Sequence, residues 1–249
     1  MQPIVLTFAA SDPTGGAGVQ ADVLTLAALG CHPLSVLTAL TVQDTRGVVH
    51  VEPVSAELVA RQASVLLAEA KVAAFKVGVV ASADNARAVS SVAAAYPNVP
   101  LVLDPVLASG RGDPLASDAV LNSLLELLIP HATVVTPNIL EEKRLGGAKR
   151  LLELGARYVL VTGTHQESAE VTNRLYDARG LVREDRWPRL SGSYHGSGCT
   201  LASAIAARLA KGQAVPEAAR EAQEYTWQTL AAALRTGAGQ LVPNRFFAR

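Results

Sequence analysis

The sequence predicts an α/β fold built on a mainly parallel central sheet that ends in a late β-hairpin. Three observations carry this. Short apolar runs alternate with longer amphipathic segments, the pattern of strands that cross over through helices. The residues just after those runs are polar and glycine-rich, as expected where parallel strands end and ligands bind. Near the end of the pattern, two consecutive strand-like runs are joined by a short Gly-containing loop. With 249 residues, 49% of them hydrophobic, the chain can bury one sizeable core, and it reads as a single domain over 1–249.

In order, the apolar runs place strands at Ile4–Ala9, Leu34–Thr41, Ala73–Val77, Leu101–Leu103, Thr133–Val135 and Tyr158–Val161. Between them, apolar residues at helical spacing predict helices over Gly16–Leu29, Ser55–Ala68, Ala83–Ala94, Ser117–Leu127 and Ile139–Leu154, the last with a break at Gly146-Gly147. Glu170–Tyr176 and Leu181–Trp187 flank Asp177-Ala178-Arg179-Gly180 and form the hairpin. Two Ala-rich helices, Cys199–Ala210 and Val215–Leu234, close the chain. No fixed-period repeat, charge block or Pro/Ser-rich linker marks a boundary.

Composition narrows the function. Lys plus Arg and Asp plus Glu number 22 each, so no net field favours nucleic acid or an anionic membrane, and an anionic ligand needs local features to hold it. Cys31 and Cys199 are far apart with no C-x-x-C, which argues against a disulfide framework or a zinc cluster and for a reducing compartment. Met1-Gln2-Pro3 carries no cationic leader region, and no stretch approaches ~18 uninterrupted apolar residues, so a cytoplasmic protein acting on a small molecule is expected. A homodimer is left open.

The strand-end segments hold the candidate chemistry: Ala10-Ser11-Asp12-Pro13-Thr14-Gly15-Gly16-Ala17-Gly18, Gln43-Asp44-Thr45-Arg46-Gly47, Asp104-Pro105 and Thr136-Pro137-Asn138. After the hairpin, Tyr194-His195-Gly196-Ser197-Gly198-Cys199-Thr200 leads straight into a helix. Glycines admit an anion close to the backbone, and the free N–H groups and macrodipole of a first helical turn favour phosphate, so Gly196–Cys199 reads as an anion hole. A thiol in that field is expected to have a pKa below the usual value of about 8.5 and to act as a base towards a hydroxyl. The alternative is a glycine-rich helix cap with a small buried thiol. Gly16-Ala17-Gly18-Val19-Gln20-Ala21 satisfies G-x-G-x-x-A, but its first glycine lies beyond the strand end, which weakens a dinucleotide reading; no G-x-x-x-x-G-K-[ST] is present.

These segments, with Thr38-Ala39-Leu40-Thr41-Val42-Gln43-Asp44-Thr45, Asp104-Pro105-Val106 and Asn138 with Glu141, resemble the hydroxymethylpyrimidine/phosphomethylpyrimidine kinases of thiamine biosynthesis, of the ribokinase-like superfamily. The resemblance runs from the first strand to the closing helices. It implies a three-layer α/β/α ribokinase-like fold and two ATP-dependent transfers, from 4-amino-5-hydroxymethyl-2-methylpyrimidine to its monophosphate and on to the diphosphate. By matching motif, Gln43 pairs with the aminopyrimidine edge while Ala10, Asp12, Val79 and Val106 shape the pocket. Cys199 takes the base position and Gly196, Ser197 and Gly198 supply N–H groups to the transferring phosphoryl. Asn138, Glu141, Thr162 and Gly163 fall on the ATP side, and Asp104 with Glu141 organises Mg²⁺, partly through water. A pyridoxal or pyridoxine kinase, or a binding relative with weak transfer, are the alternatives that the same motifs admit.

Each role has a structural counterpart: an Asx-turn for Asp12, a helix N-cap for Asn138, a capping-box partner for Glu141, an ordinary strand-end residue for Gln43. Lys76 receives no role. Three departures from the family pattern stand out: Thr162-Gly163-Thr164-His165 where a lysine opens the segment, Val79 for a methionine, and Ala10 for a glycine. The missing lysine predicts weaker neutralisation of the ATP phosphates unless Lys143, Arg144 or Arg111 reaches that space.

Overall fold

Alternation along the central strands sends successive side chains to opposite faces of one sheet, and both faces are covered. The computed structural model describes residues 2–109, 112–113, 115–164 and 168–248. Its strands are β1 (Ile4–Ser11), β2 (His32–Asp44), β3 (Gly47–Pro53), β4 (Val72–Val77), β5 (Leu101–Leu103), β6 (Val134–Val135), β7 (Tyr158–Val161), β8 (Glu170–Asp177) and β9 (Gly180–Pro188). They form a nine-stranded sheet in the order β3-β2-β1-β4-β5-β6-β7-β8-β9. The run from β2 to β7 is parallel, β3 is antiparallel on one edge, and the hairpin β8–β9 is antiparallel on the other.

One face carries Leu6, Phe8, Phe75, Val77, Leu101, Leu103, Val135 and Val159. It is covered by α2 (Ala56–Glu69), α3 (Ala83–Ala95), α4 (Asp118–Ser123), α5 (Ile139–Arg144) and α6 (Ala148–Glu153), whose Val59, Val89, Val120, Leu145 and Leu151 belong to the same cluster or flank it. The opposite face shows Val5, Ala74, Val102, Val134 and Leu160 to α1 (Gly18–Ala28), α7 (Ser197–Ala210) and α8 (Val215–Ala231). That layer is rich in alanine: Ala202, Ala204, Ala206, Ala207, Ala218, Ala219 and Ala222 are all buried. Small side chains bring helix and sheet close.

Ser55, Ser82 and Ser117 each cap a helix by accepting a backbone N–H three residues on, which fixes the starts of α2, α3 and α4. The break expected at Gly146-Gly147 is present, both residues lying at positive φ between α5 and α6. Several expectations are corrected. The helix read as Ser117–Leu127 is α-helical only to Ser123 and continues as a π-turn, Leu124–Leu128, before Pro130. The first helix begins at Gly18 rather than Gly16, because Asp12 to Ala17 are held in a turn by the Asp12 side chain. The last helix ends at Ala231 rather than Leu234. Strand β3 lies outside the apolar runs that place the other strands; its Val-His-Val-Glu segment is an exposed edge, paired with β2 across a bulge at Val42/Gln43.

Candidate active site

A cavity of about 470 Å³ opens at the carboxyl ends of β1, β2, β4, β5, β6 and β7, roofed by the turn into α7. Two glycines make its tight corner possible. Gly18, at φ 59°, leaves no room for a side chain, since a Cβ there would lie 2.3 Å from the carbonyl oxygen of Ala10. Gly196, at φ 87°, presses so near the first loop that a Cβ would lie 1.9 Å from the oxygen of Gly16. Among the described residues no side chain caps α7, so the N–H groups of Ser197, Gly198 and Cys199 open the helix without a side-chain acceptor.

Asp12 is the joint between the two loops. Its carboxylate accepts from Thr14 N (2.8 Å), Thr14 Oγ1 (2.9 Å), Ala17 N (2.7 Å) and His195 Nε2 (2.8 Å). Burial works against the charge, but these donors outweigh it and hold the carboxyl well below the usual carboxylate range. The Asx-turn and the pocket wall are therefore one feature: Asp12 lines the cavity while its oxygens tie the wall together.

Asp104, at the end of β5, is the opposite case. It is buried, its Oδ2 has no hydrogen-bond partner among the described residues, and burial raises its pKa to about 6 despite the Lys76 ammonium nearby. Glu141 is also buried, and burial together with Asp104 pushes it up to about 8. Its oxygens accept from Leu107 N (3.2 Å) and Asn138 N (2.9 Å), while Asn138 Oδ1 accepts from Leu140 N and Glu141 N. The capping box is real, and both residues line the cavity as well. Two buried carboxylates, Asp104 raising the pKa of Glu141 and keeping an oxygen bare among the described residues, suit a hard divalent cation shared with phosphate oxygens. Among the described residues no group of three or more His, Cys, Asp and Glu side chains could hold a metal by itself.

Cys199 departs from its expectation. The thiol sits half-buried at the cavity floor, and burial raises its pKa to about 12; Lys76 opposes this, while Asp104 and Asp22 add to it. Desolvation and carboxylate neighbours beat the helix end. Lys76 itself is wholly buried and ion-paired to Asp22 at 2.8 Å, with Thr7 and Ser203 hydroxyls completing the Asp22 shell. Burial disfavours its charge, yet Asp22, Cys199 and Asp104 together more than offset that and keep it an ammonium.

On the far wall, Ala10, Val79 and Val106 supply apolar contact and Gln43 presents a carboxamide with no hydrogen-bond partner among the described residues. Gln43 reaches the cavity because β2 outruns β1 and pairs with β3, Gln43 opposite Val48. On the other side Thr162 lines the cavity, but Gly163 does not: its N–H donates to Asn173 Oδ1 at 3.0 Å.

A family model for phosphomethylpyrimidine kinase matches residues 12–244. The chain belongs to the phosphomethylpyrimidine kinase family. A hydroxymethylpyrimidine/phosphomethylpyrimidine kinase of Rhizobium meliloti (strain 1021) is 38% identical over 96% of this chain and 95% of its own. Among solved structures, an ADP complex of Bacillus subtilis pyridoxal kinase superposes with a TM-score of 0.91 at 26% identity, covering 100% of this chain and 99% of that one. A phosphomethylpyrimidine kinase from Clostridium difficile 630 gives a TM-score of 0.80 at 32% identity, covering 92% and 100%.

Within this phosphomethylpyrimidine kinase fold, sequence reasoning missed several groups. Neither Lys143 nor Arg144 lines the cavity, and Arg111 and His165 lie outside the described residues. A different cation, Arg189, lines it and donates to the carbonyl of Thr164 at 2.9 Å and of Ser168 at 2.6 Å. Asn173, Gln223 and Trp187 join in one network beside it, Asn173 Nδ2 and Trp187 Nε1 both donating to Gln223 Oε1. Only the position of Arg189 just past the hairpin strand could have pointed to it; the Gln223 link spans 50 residues and has no local signature. Among the described residues, no helix is long and apolar enough to cross a membrane.

Proposed function

We propose that the chain uses ATP to phosphorylate the hydroxymethyl group of 4-amino-5-hydroxymethyl-2-methylpyrimidine and then the resulting monophosphate. One observation carries the reading: an uncapped helix N-terminus and two buried carboxyl groups of raised pKa face the same cavity as the free carboxamide of Gln43. Phosphoryl transfer needs little covalent help from the protein; it needs an in-line arrangement and charge neutralisation. Gly196, Ser197 and Gly198 would receive the transferring group and Cys199 would sit beside the attacking hydroxyl. Asn138 and Thr162 would bound the ATP side, with Arg189 as the cation that the sequence lacks at position 162.

Asp104 and Glu141 fit Mg²⁺, since a cation relieves the repulsion between them and meets the bare Asp104 oxygen. When bound, Mg²⁺ neutralises phosphate charge. Asp104 engaged by such a cation would burden the Cys199 thiol less, since its carboxylate is one of the influences that hold the thiol protonated. The unpaired cysteines suit a cytoplasmic setting.

A coupled ADP-release assay over a panel of hydroxymethyl heterocycles tests the reading. The pyrimidine should outrun pyridoxal, and Gln43→Ala should raise KM for the pyrimidine selectively, by the equivalent of about 1–3 kcal/mol for one lost buried hydrogen-bonding partner. Faster turnover of pyridoxal would favour the ring handled by the Bacillus subtilis neighbour. ADP release independent of any acceptor would leave only a nucleotide-binding or hydrolytic protein.

A further inference from the structure

The chain beyond α8 returns to the cavity. Leu241 N donates to Ser193 O and His195 N donates to Leu241 O, so this segment runs alongside the residues that enter the anion turn. It ends on Arg245, only 3% exposed, whose main chain is held against α8 by the Tyr225 hydroxyl (2.8 Å to Arg245 O) and by Asn244 N on Thr229 O. The guanidinium forks across three acceptors: Gly15 O (3.2 Å), Gly16 O (2.5 Å) and Thr200 Oγ1 (3.2 Å). Thr200 Oγ1 in turn donates to Gly196 O at 2.8 Å. One side chain thus spans both glycine-rich loops at the place where Gly16 and Gly196 nearly touch.

All three acceptors are neutral. Among the described residues no carboxylate is ion-paired with Arg245, and the nearest acids are already engaged: Asp12 by Thr14, Ala17 and His195, Asp22 by Lys76, Thr7 and Ser203. A buried cation without a counter-charge is costly. A neutral donor would clamp two carbonyls without that cost, so the retained charge needs an anion to face, and the turn between Arg245 and the cavity is the one suited to a phosphoryl group.

We infer that Arg245 is a positioning residue for phosphoryl transfer: it holds the Gly15–Gly16 and Gly196–Cys199 loops in register from behind and backs the anion turn with an unneutralised positive charge. The inference rests on the kinase reading above, deepening it by naming what keeps the turn charged and in place.

The test compares wild type with Arg245→Gln and Arg245→Lys. Because removing a direct oxyanion donor costs about 10²–10³-fold and Arg245 acts one layer back, Arg245→Gln is expected to lower kcat by roughly 10–100-fold, equally for the pyrimidine and its monophosphate, with pyrimidine KM within about twofold. Added guanidinium chloride at low millimolar concentration should restore part of the loss in Arg245→Gln and none in wild type, which a packing lesion would not show. A folded Arg245→Gln with kcat within about twofold of wild type, or a loss that appears mainly in pyrimidine KM, overturns the inference. Should Arg245→Gln not fold, Arg245→Lys decides: it keeps the charge without the fork, so a kcat reduced about fivefold or more supports the role and an unchanged kcat removes it. If wild type transfers nothing to the pyrimidine, the kinase reading fails separately. ATP affinity by calorimetry then judges Arg245, weakening about tenfold in Arg245→Gln if it charges the turn and staying within about twofold if it does not.

Discussion

Asp12 and Asp104 stand past the ends of β1 and β5, two strands of one sheet with β4 between them, both nearly inaccessible, and they have opposite characters. Asp12 receives four hydrogen bonds and keeps its charge far more easily than a carboxylate in water. Asp104 has a bare oxygen and a pKa of about 6, and it burdens Glu141 and Cys199 as well. The protein completes the first and leaves the second open to the cavity. Burial alone does not sort structural acids from working ones, whereas the count of donors around each does.

The largest expected effect lies on the unfinished side. If the loaded site brings the Cys199 thiol down from its raised pKa, Cys199→Ala should depress phosphorylation of the hydroxymethyl group by about 10²–10⁴-fold, the range of general-base assistance, and phosphorylation of the monophosphate far less. The second acceptor already carries an anionic oxygen at neutral pH, its second pKa being about 6. Equal losses for both acceptors, read from initial rates, would make Cys199 a packing residue of the α7 turn.

Next, Asp104→Asn should cut turnover on the order of 10²-fold through lost neutralisation of phosphate, while the ligand-free protein melts at a higher temperature, since a buried, repelled charge is gone. Asp12→Asn should do the reverse. Losing the charge that four donors converge on is expected to cost about 1–3 kcal/mol of stability in denaturant melts, with a smaller change in kcat. A more stable Asp12→Asn protein would erase the contrast.

The smallest and most diagnostic effect is a pH dependence. Asp104 and Glu141 have folded pKa values above their unfolded ones, so between about pH 4.5 and 8 the folded, metal-free protein binds more protons than the unfolded chain, and this contribution to stability falls as pH rises. Asp12, depressed in the folded state, contributes stability that is present above about pH 4 and lost below it. Mg²⁺ must displace the proton on Glu141, so its affinity should climb between about pH 6 and 8, by at most about tenfold per unit for one proton. Calorimetry in buffers of different ionisation enthalpy counts that proton; a count of zero would separate Glu141 from the metal.

Most of the sheet was legible because its strands are short apolar runs with polar, glycine-rich ends, and the same ends marked Asp12, Gln43, Asp104, Asn138 and Cys199 for inspection. The edge strand β3 was not, since half its residues face solvent and the pairing passes through a bulge. Local pattern also misjudged Cys199, because a helix start can be read from Gly-Ser-Gly but the carboxylates around the thiol come from β5 and α1, remote in sequence. Gly163 stands back from the cavity through a similarly remote contact: its N–H is claimed by Asn173, a residue of the next strand. Arg245 and Arg189 carry no local motif at all, and only folding shows what they reach.

The alanine layer under α7 has a consequence for how this protein tolerates change. Ala204 and Ala206, wholly buried and on different sides of α7, act as spacers that set how closely the helix packs on its neighbours, and the Gly196 turn is the free end of that same rigid rod. A valine or leucine at either position touches no ligand, yet the helix must lift or tilt to admit it. The displacement would be felt at Gly196, where the two loops have no slack. Substitutions along this helix should therefore imitate active-site lesions from well outside the cavity.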